Sequence, residues 1–299
     1  MGLSLLRART PTLDIAYEQS GPSEGTPVLL LHGFPYDVRQ YDTLRKSAHM
    51  EGLRVIVPYL RGFGGTRYLS KEIRRSGQQA ALGKDVLEFL DALEIEKAVL
   101  VGYDWGGRAA CVAAALWPDR VRGIVSDGYS IQSLAKSAIT PESAEQEHQF
   151  WYQWYFQTER GRQGLAENRR ELSRLLWTMW SPGWRFSEEE FAQTARSFDN
   201  PDFVDTVIHG YRHRYANAIG DPSLQPLEDR LAGKPKITLP AITVHGAEDR
   251  VHPASKSAEE APQFTSFYDR RILAGVGHCV PAEAPVEMGV AIADILRHG

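Results

Sequence analysis

The stretch from residue 98 to residue 116 constrains the fold of this chain more than any other. Residues 98–101 form an apolar run, typical of a buried strand, which ends at Gly102. From residue 108 to residue 116 the apolar residues recur at helical spacing. The sequence therefore predicts a strand, a tight turn and a helix, with Asp104 in the middle of the turn.

The turn has the spacing Gly-x-nucleophile-x-Gly, with glycines at positions 102 and 106. Two such glycines let a strand and a helix approach closely and leave the side chain between them exposed. The carboxylate of Asp104 is already ionised at neutral pH, so it can attack a saturated carbon without first losing a proton. Aspartate here favours alkyl transfer, whereas serine would suit acyl transfer. The alternative is that Asp104 only caps the following helix.

Apolar runs and helical periodicity indicate an α/β fold. Strands alternate with helices, so we expect a mostly parallel sheet covered on both faces by helices. In such sheets ligands bind beyond the carboxyl ends of the strands, where Asp104 lies. The predicted strands are 28–31, 53–58, 98–101, 123–127, 241–246 and 267–273, and the clearest predicted helices are 41–50, 78–90 and 285–296.

The middle of the chain has a different character. Residues 131–231 contain no run typical of a buried strand, only helix-forming stretches rich in Trp, Tyr and Arg. We interpret them as a helical lid inserted into a core domain made of residues 1–130 and 232–299. A chain of 299 residues is long enough for this arrangement.

Charge and cysteine content limit the partners and the compartment. The formal net charge of −4 gives no basis for binding nucleic acid or an anionic membrane. Two cysteines, Cys111 and Cys279, indicate a reducing compartment without a disulfide framework. We expect a cytoplasmic protein, monomeric or homodimeric, because no stretch is long enough to span a bilayer and the start lacks the features of a signal peptide. Acylation of Gly2 is not expected, because Leu6 stands where the signal requires Ser or Thr.

An aspartyl ester needs a base to activate water, an acid to hold that base, and donors for the oxyanion. Asp249 follows an apolar strand and is a candidate acid, with Glu248 as its alternative. His278 follows the last strand among small residues that would leave it exposed. Cys279 could be a second nucleophile, although a small buried residue is the better interpretation. No Cys/His cluster has the spacing of metal ligands.

The order nucleophile, acid, histidine is that of the α/β-hydrolase fold. Residues 32–35, His-Gly-Phe-Pro, match the HGxP motif of epoxide hydrolases with this fold, and residues 102–107 are similar to their GxDWGG elbow. The chain thus resembles these epoxide hydrolases over nearly its whole length. The resemblance implies hydrolysis of a small-molecule epoxide to a vicinal diol without cofactor or metal. The oxyanion donors would be the backbone N–H groups of Phe34 and Trp105.

The resemblance also assigns residues of the lid. Tyr152 and Tyr211 match the segments that carry the two tyrosines donating to the epoxide oxygen, and a phenol is a suitable donor to a developing alkoxide. Tyr155 and Tyr215 are the nearest alternatives. The substrate is expected to contact an apolar lining; the candidates are Phe34, Trp105, Phe150, Trp151, Tyr155 and, as a polar member, Arg108.

Three other functions are compatible with parts of the sequence. Haloalkane dehalogenases hold halide on the tryptophan after the nucleophile, here Trp105. A second donor commonly follows their His-Gly, where this chain has Phe34; Trp151 or Trp154 could take its place.

Haloacetate dehalogenases resemble the chain at Arg108, although only half of their arginine clamp is present. An Arg108 facing the pocket would favour polar or anionic substrates, and the alternative is a salt bridge along the helix. A non-catalytic ligand-binding protein is disfavoured by the complete nucleophile, acid and histidine set.

Overall fold

The computed structural model describes residues 4–299, so the expectation about Gly2 lies outside the described residues. One sheet runs through the described chain in the order β1-β2-β4-β3-β6-β7-β8-β9, with β5 beside β2. Its strands are β1 (Leu6–Arg9), β2 (Leu13–Ser20), β3 (Thr26–Leu31), β4 (Leu53–Pro58), β5 (Arg67–Tyr68), β6 (Ala98–Gly102), β7 (Val121–Ser126), β8 (Ala241–Gly246) and β9 (Tyr268–Leu273).

The sheet is parallel from β4 to β9 and antiparallel at the edge formed by β1, β2 and β5. The predicted mostly parallel sheet is therefore confirmed. Leu31, at the end of β3, pairs with Gly102, at the end of β6. This register places the loop after β3 beside the turn after β6, because parallel strands end at the same edge of the sheet.

The helices are α1 (Gln79–Ala92), α2 (Trp105–Leu116), α3 (Leu134–Ile139), α4 (Ala144–Gln149), α5 (Trp151–Tyr155), α6 (Glu159–Glu167), α7 (Arg169–Trp180), α8 (Glu188–Ala195), α9 (Phe203–Arg214), α10 (Gln225–Ala232), α11 (Ala254–Ser257), α12 (Val280–Glu283) and α13 (Pro285–Ile295). Alternate strand residues enter two cores. Leu29 and Leu31 belong to the core that includes residues of α1 and α2. Val28 and Leu30 belong to the core that includes residues of α13. The predicted helices on both faces of the sheet are thereby confirmed.

The predicted helix over 41–50 is wrong. Three short 3₁₀ turns occupy this region, at Val38–Tyr41, Leu44–Lys46 and Ala48–Met50. The backbone of Ser47 is extended, with φ −75° and ψ 154°, so no helix can run through it. The backbone N–H groups of Ser47 and Met50 donate to the carbonyls three residues earlier, each at 3.0 Å, which closes short 3₁₀ turns instead of a continuous α-helix.

Residues 131–231, which lie between β7 and β8, are helical and contain no strand; we call them the helical segment. Side chains of this segment bind the loop after β3: Trp177 donates to the carbonyl of Pro35 at 2.8 Å, and Ser197 donates to Asp37 at 2.7 Å. The helical segment therefore contacts the carboxyl-terminal edge of the sheet, where Asp104 lies.

Candidate active site

Asp104 occupies the sharp turn between β6 and α2. Its φ of 54° and ψ of −114° lie in a region that residues with a Cβ atom rarely adopt. A Cβ atom on Gly102 would lie 2.2 Å from the carbonyl oxygen of Gly106, and one on Gly106 would lie 1.9 Å from that of Leu31. Glycine is thus required on both sides of Asp104. The side chain of Asp104 makes no capping hydrogen bond to α2, which removes the alternative that it serves as a helix cap.

A backbone N–H group from the loop after β3 binds the Asp104 carboxylate. Its Oδ1 accepts the N–H of Phe34 at 2.8 Å. The N–H of Trp105 is the first of α2, where helical N–H groups lack an intrahelical partner. Of the two donors predicted from sequence, the N–H of Phe34 thus binds the carboxylate, and that of Trp105 lies in the elbow directly after Asp104 without a hydrogen bond to its side chain.

His278 lies between two carboxylates. Its Nδ1 is 2.8 Å from Oδ2 of Asp249, and its Nε2 is 4.0 Å from Oδ2 of Asp104. Nε2 is buried and has no hydrogen-bond partner within residues 4–299. The other oxygen of Asp249 accepts the N–H groups of Val251 at 2.7 Å and His252 at 2.9 Å. These bonds fix the Asp249 carboxylate, which in turn orients the ring of His278.

The expected exposure of His278 is wrong, because only 2% of the residue is accessible. The end of α7 covers it: Ser181 accepts the N–H of His278 at 2.8 Å, and the ring of Trp180 lies 5.2 Å from the imidazole. The small residues before His278 permit this close approach, since a Cβ atom on Gly277 would lie 2.5 Å from the Cα of Ser181. The small residues that suggested exposure therefore allow burial.

Carboxylates determine the electrostatics of His278. Burial lowers its pKa, but Asp249 and then Asp104 outweigh burial and bring the pKa to about 9. Burial also opposes ionisation of Asp249, yet the charge of His278 holds the pKa of Asp249 below its ordinary value. The alternative acid, Glu248, is exposed. Asp249 is thus the carboxylate in hydrogen-bond contact with His278.

Tyr152 on α5 and Tyr211 on α9 meet edge to face, with ring centroids 5.4 Å apart. Burial is the largest cause that raises the pKa of each phenol, and the charge of Asp104 adds to it. Both therefore remain protonated donors over the physiological pH range. The alternatives point elsewhere: the hydroxyl of Tyr155 packs against Gly164, and that of Tyr215 donates to Oε1 of Gln153 at 2.9 Å.

Gln153 links a guanidinium to Tyr152. Its Oε1 accepts a second hydrogen bond at 2.9 Å from Nη1 of Arg214, and its Nε2 donates to the hydroxyl of Tyr152 at 2.9 Å. Arginine and the amide nitrogen can only donate, so this network fixes which side of the amide faces Tyr152. The Tyr152 oxygen is an acceptor from Gln153, which leaves its own proton free for another acceptor.

A cavity of about 170 Å³ lies between the sheet edge and the helical segment. Five residues proposed from sequence line it: Asp104, Arg108, Phe150, Tyr152 and His278. Its other lining residues are Asp127, Tyr129, Ser130, Ile131, Gln132, Gln153, Arg214, Val251 and His252.

Several expected substrate contacts do not line this cavity. Phe34 and Trp105 are fully buried and pack against Tyr152 and Tyr211, respectively. Trp151 and Tyr155 contact each other beside the cavity lining, with centroids 6.0 Å apart. Trp154 is 39% exposed and donates to Glu147, so it faces away from the site.

Sequence reasoning missed Asp127, Gln153, Arg214 and His252. Asp127 carried a usable signal, because it directly follows the strand beside the elbow strand. Arg214 lies three residues after Tyr211, so the two share one face of α9. No local signal identifies Gln153 or His252, since their positions depend on how distant segments pack.

The surroundings of Cys279 do not favour a role as a second nucleophile. Cys279 is buried, and burial raises the pKa of its thiol well above the ordinary value, which disfavours the reactive thiolate. Within residues 4–299, no three His, Cys, Asp or Glu side chains are grouped as ligands of a metal ion. No helix in the same range combines the length and apolar character needed to cross a membrane.

The fold and the elbow define an α/β hydrolase. The model of the alpha/beta hydrolase fold family matches residues 26–285, and the chain belongs to this family. A Klebsiella pneumoniae subsp. pneumoniae crystal structure, of a protein provisionally named epoxide hydrolase, is 42% identical, with a TM-score of 0.95, over 98% of this chain and 97% of that one. Epoxide hydrolase A of Mycobacterium tuberculosis is 25% identical over 91% of each chain.

A third similarity concerns the fold alone. Haloalkane dehalogenase variant DbeA-M1 from Bradyrhizobium elkanii shares 23% identity, with a TM-score of 0.77, over 99% of this chain and 97% of that one. Different chemistries occur on one fold, so the assignment of function depends on the site residues.

Proposed function

We propose that the protein is an epoxide hydrolase that forms an ester between Asp104 and its substrate and releases a vicinal diol. One observation carries the proposal: the Asp104 carboxylate, a histidine held by a second carboxylate, and the phenol of Tyr152 face one cavity. Tyr211 packs edge to face against Tyr152, just behind that lining. The epoxide hydrolase names of two similar proteins add support. Residues 131–231 would then act as a lid over a core of residues 1–130 and 232–299.

In the first step an oxygen of Asp104 attacks one carbon of the oxirane. The bond from that carbon to the ring oxygen breaks, and the oxygen takes a proton from Tyr152 or Tyr211. A phenol suits this role because its hydrogen bond strengthens as negative charge develops on the oxygen. The product is a hydroxyalkyl ester of Asp104, and the carboxylate has lost its charge.

In the second step His278 takes a proton from water, and the resulting hydroxide attacks the ester carbonyl of Asp104. The N–H groups of Phe34 and Trp105 stabilise the tetrahedral oxyanion. The bond between the carbonyl carbon and the substrate oxygen then breaks, and this oxygen takes the proton brought in by the attacking hydroxide, which restores the Asp104 carboxylate. The proton on His278 returns to the phenolate formed in the first step, and the diol departs. One epoxide and one water molecule are consumed.

A carbon–halogen bond is the second candidate target of Asp104. The indole Nε1 of Trp105 and that of Trp180 are buried without hydrogen-bond partners within residues 4–299, as halide donors would be in an empty site. Epoxide opening is preferred because Trp105 and Trp180 do not line the cavity, whereas Tyr152 does.

Trapping of the ester tests the proposal. His278→Gln removes the base for the second step, so a covalent adduct should accumulate. Intact mass spectrometry after incubation with 1,2-epoxybutane or styrene oxide should give a mass gain equal to the whole epoxide. If incubation with a bromoalkane or fluoroacetate gives a mass gain equal to the organic group without its halogen, dehalogenation is the better interpretation.

Two controls make the trapping experiment specific. The double variant Asp104→Asn, His278→Gln should gain no mass, because it lacks the nucleophile. A mass gain that persists in this variant would come from labelling elsewhere, for example at Cys111 or Cys279. If no reagent labels His278→Gln and the wild-type protein turns over none of them, the proposed function is wrong and a non-catalytic ligand-binding protein becomes the better interpretation.

A further inference from the structure

Two guanidinium groups, those of Arg108 and Arg214, line the candidate cavity. Arg108 lies on α2, one turn after Asp104, and Arg214 is the last residue of α9. They come from the core and from the helical segment, so they face the cavity from both sides. Each side chain carries five N–H donors in a planar fork that matches a carboxylate.

Neither guanidinium is neutralised by a neighbouring carboxylate. In the described part of the chain, Arg108 donates only from Nε to the carbonyl of Ser130, at 3.2 Å, and Arg214 only from Nη1 to the amide oxygen of Gln153, at 2.9 Å. The guanidinium of Arg214 also lies over the ring of Tyr211, 5.0 Å from its centroid. Within residues 4–299, no carboxylate oxygen lies within 4.0 Å of either group. Nε of Arg214 is buried without any partner in that range.

The buried Arg61 provides an internal comparison. Its guanidinium forms two hydrogen bonds of 2.6 Å with Asp85, as expected for a buried charge that serves stability. Arg108 and Arg214 lack such a partner. Burial, and then the charge of Arg214, lower the pKa of Arg108 to about 10. Despite burial, the surroundings of Arg214, chiefly Tyr211, raise its pKa. Two like charges that line one cavity without a carboxylate in contact point to a ligand that supplies negative charge.

The two arginines need an added negative charge most when Asp104 loses its own charge during turnover. Asp104 is among the groups whose negative charge favours the charged form of both arginines. In the proposed ester intermediate Asp104 is neutral, so both guanidiniums lose this compensation. An anionic group on the substrate would replace it at that stage.

We propose that the substrate of this site is a short-chain epoxide bearing a carboxylate, with the carboxylate bound between Arg108 and Arg214. The inference rests on the proposed function. The cavity of about 170 Å³ is smaller than the ~300–1,000 Å³ of pockets that take drug-sized ligands, which favours a short carbon chain. The acid enters as its anion, and the covalent chemistry at Asp104 is unchanged.

The test compares trans-2,3-epoxybutanoate with trans-2,3-epoxybutanamide, which has nearly the same shape and no charge. For the wild-type protein we expect kcat/KM to be about 10- to 100-fold higher for the carboxylate, as for charge-assisted hydrogen bonds. Arg108→Gln should remove most of this preference. Arg214→Lys, which keeps the charge but not the fork, should retain part of it.

Arg160→Gln is the matched control, because it removes the same charge from an exposed position in the helical segment. It should leave the preference unchanged. A measurement on the wild-type protein needs no variant: butanoate should inhibit turnover of 1,2-epoxybutane competitively, at a concentration at least about tenfold below that required for butanamide.

The outcomes separate the two proposals. Turnover of 1,2-epoxybutane and the amide, with no preference for the carboxylate and no stronger inhibition by butanoate, would overturn this inference and leave the proposed function intact. If the protein turns over none of the three epoxides and His278→Gln forms no adduct, both this inference and the proposed function are wrong.

Discussion

The backbone N–H of Asp104 donates a hydrogen bond of 2.9 Å to Oδ2 of Asp127, which lies directly after the neighbouring strand. The bond acts on a residue whose φ is 54°, so it stabilises a backbone conformation that is intrinsically unfavourable. Burial, the largest cause, raises the pKa of Asp127 to about 6. Asp127 is therefore a positioning residue for the elbow.

Asp127→Ala should destabilise the protein by about 1–3 kcal/mol, because it leaves the partly buried N–H of Asp104 without this acceptor. Asp127→Asn keeps an acceptor oxygen, so its free energy of unfolding should stay within about 1 kcal/mol of wild type. Urea unfolding at pH 7.5 measures both. Equal stability of the alanine and asparagine variants would mean that the bond to Asp104 contributes nothing measurable.

The pKa of His278 should depend on the charge of Asp104. The value of about 9 reflects carboxylates that outweigh the effect of burial, and Oδ2 of Asp104 lies 4.0 Å from Nε2. Asp104→Asn removes one of these charges, so the pKa of His278 should fall by about one unit or more. NMR titration of the imidazole measures the change, with Asp119→Asn, an exposed position, as the control. An unchanged pKa would show that the two groups are not coupled.

The same coupling has a consequence for turnover and for stability. In the proposed ester Asp104 is neutral, as it is in the asparagine variant, so His278 would lose its proton more readily at the step that needs a base.

Because the folded-state pKa of about 9 exceeds the ordinary 6.5, charged His278 stabilises the fold below pH 6.5. This contribution is lost as the pH rises through 9, so the unfolding free energy of wild type should fall relative to His278→Gln over that interval.

Features that depend on runs of apolar residues were predictable from sequence. The apolar runs ending at Gly102 and Gly246 indicate strand ends, and parallel strands bring such ends to one edge of a sheet. Asp104 and Asp249 follow from this argument without knowledge of packing. The motif at residues 32–35 likewise locates the loop whose N–H reaches Asp104.

Features that depend on packing between distant segments were not predictable. The burial of His278 requires the end of α7 to cover it, more than ninety residues earlier in the chain. The small residues before His278 are compatible with exposure and with close packing, and only the tertiary contact with Ser181 decides between them. Gln153 is a second example, because its role depends on Arg214, contributed by another helix.

Gln153 should accelerate ring opening and leave ester hydrolysis unaffected. Gln153→Leu removes the donor to Tyr152, so the phenol proton is no longer directed toward the substrate. We expect adduct formation in the His278→Gln background to slow by about tenfold, the effect of one hydrogen bond of about 1.4 kcal/mol. In a protein with His278 intact, the rate of ester hydrolysis should change less than threefold.

Rapid-quench mass spectrometry separates these two rates. Gln163→Leu is the matched control, because Gln163 is exposed on α6 and its side chain donates to the surface residue Glu167. Equal slowing of both steps by Gln153→Leu would indicate a general structural defect instead of the orientation of Tyr152.

Isotope labelling should locate the bond broken in the second step. With enzyme in excess over epoxide in ¹⁸O-water, hydroxide attacks the carbonyl carbon of Asp104, so the heavy oxygen should remain in the carboxylate. The first diol released should contain none. Lys97 and Arg108 flank the elbow, so trypsin should release residues 98–108 as one peptide for mass spectrometry.

The variant Asp104→Asn should incorporate no label under the same conditions, since it forms no ester. Repeated turnover should then transfer ¹⁸O from Asp104 to the diol, because the labelled carboxylate becomes the next nucleophile. Heavy oxygen in the diol but not in the peptide after a single turnover would mean that water attacks the epoxide directly. In that case Asp104 would act as a general base, and the N–H groups of Phe34 and Trp105 would hold its carboxylate instead of an oxyanion.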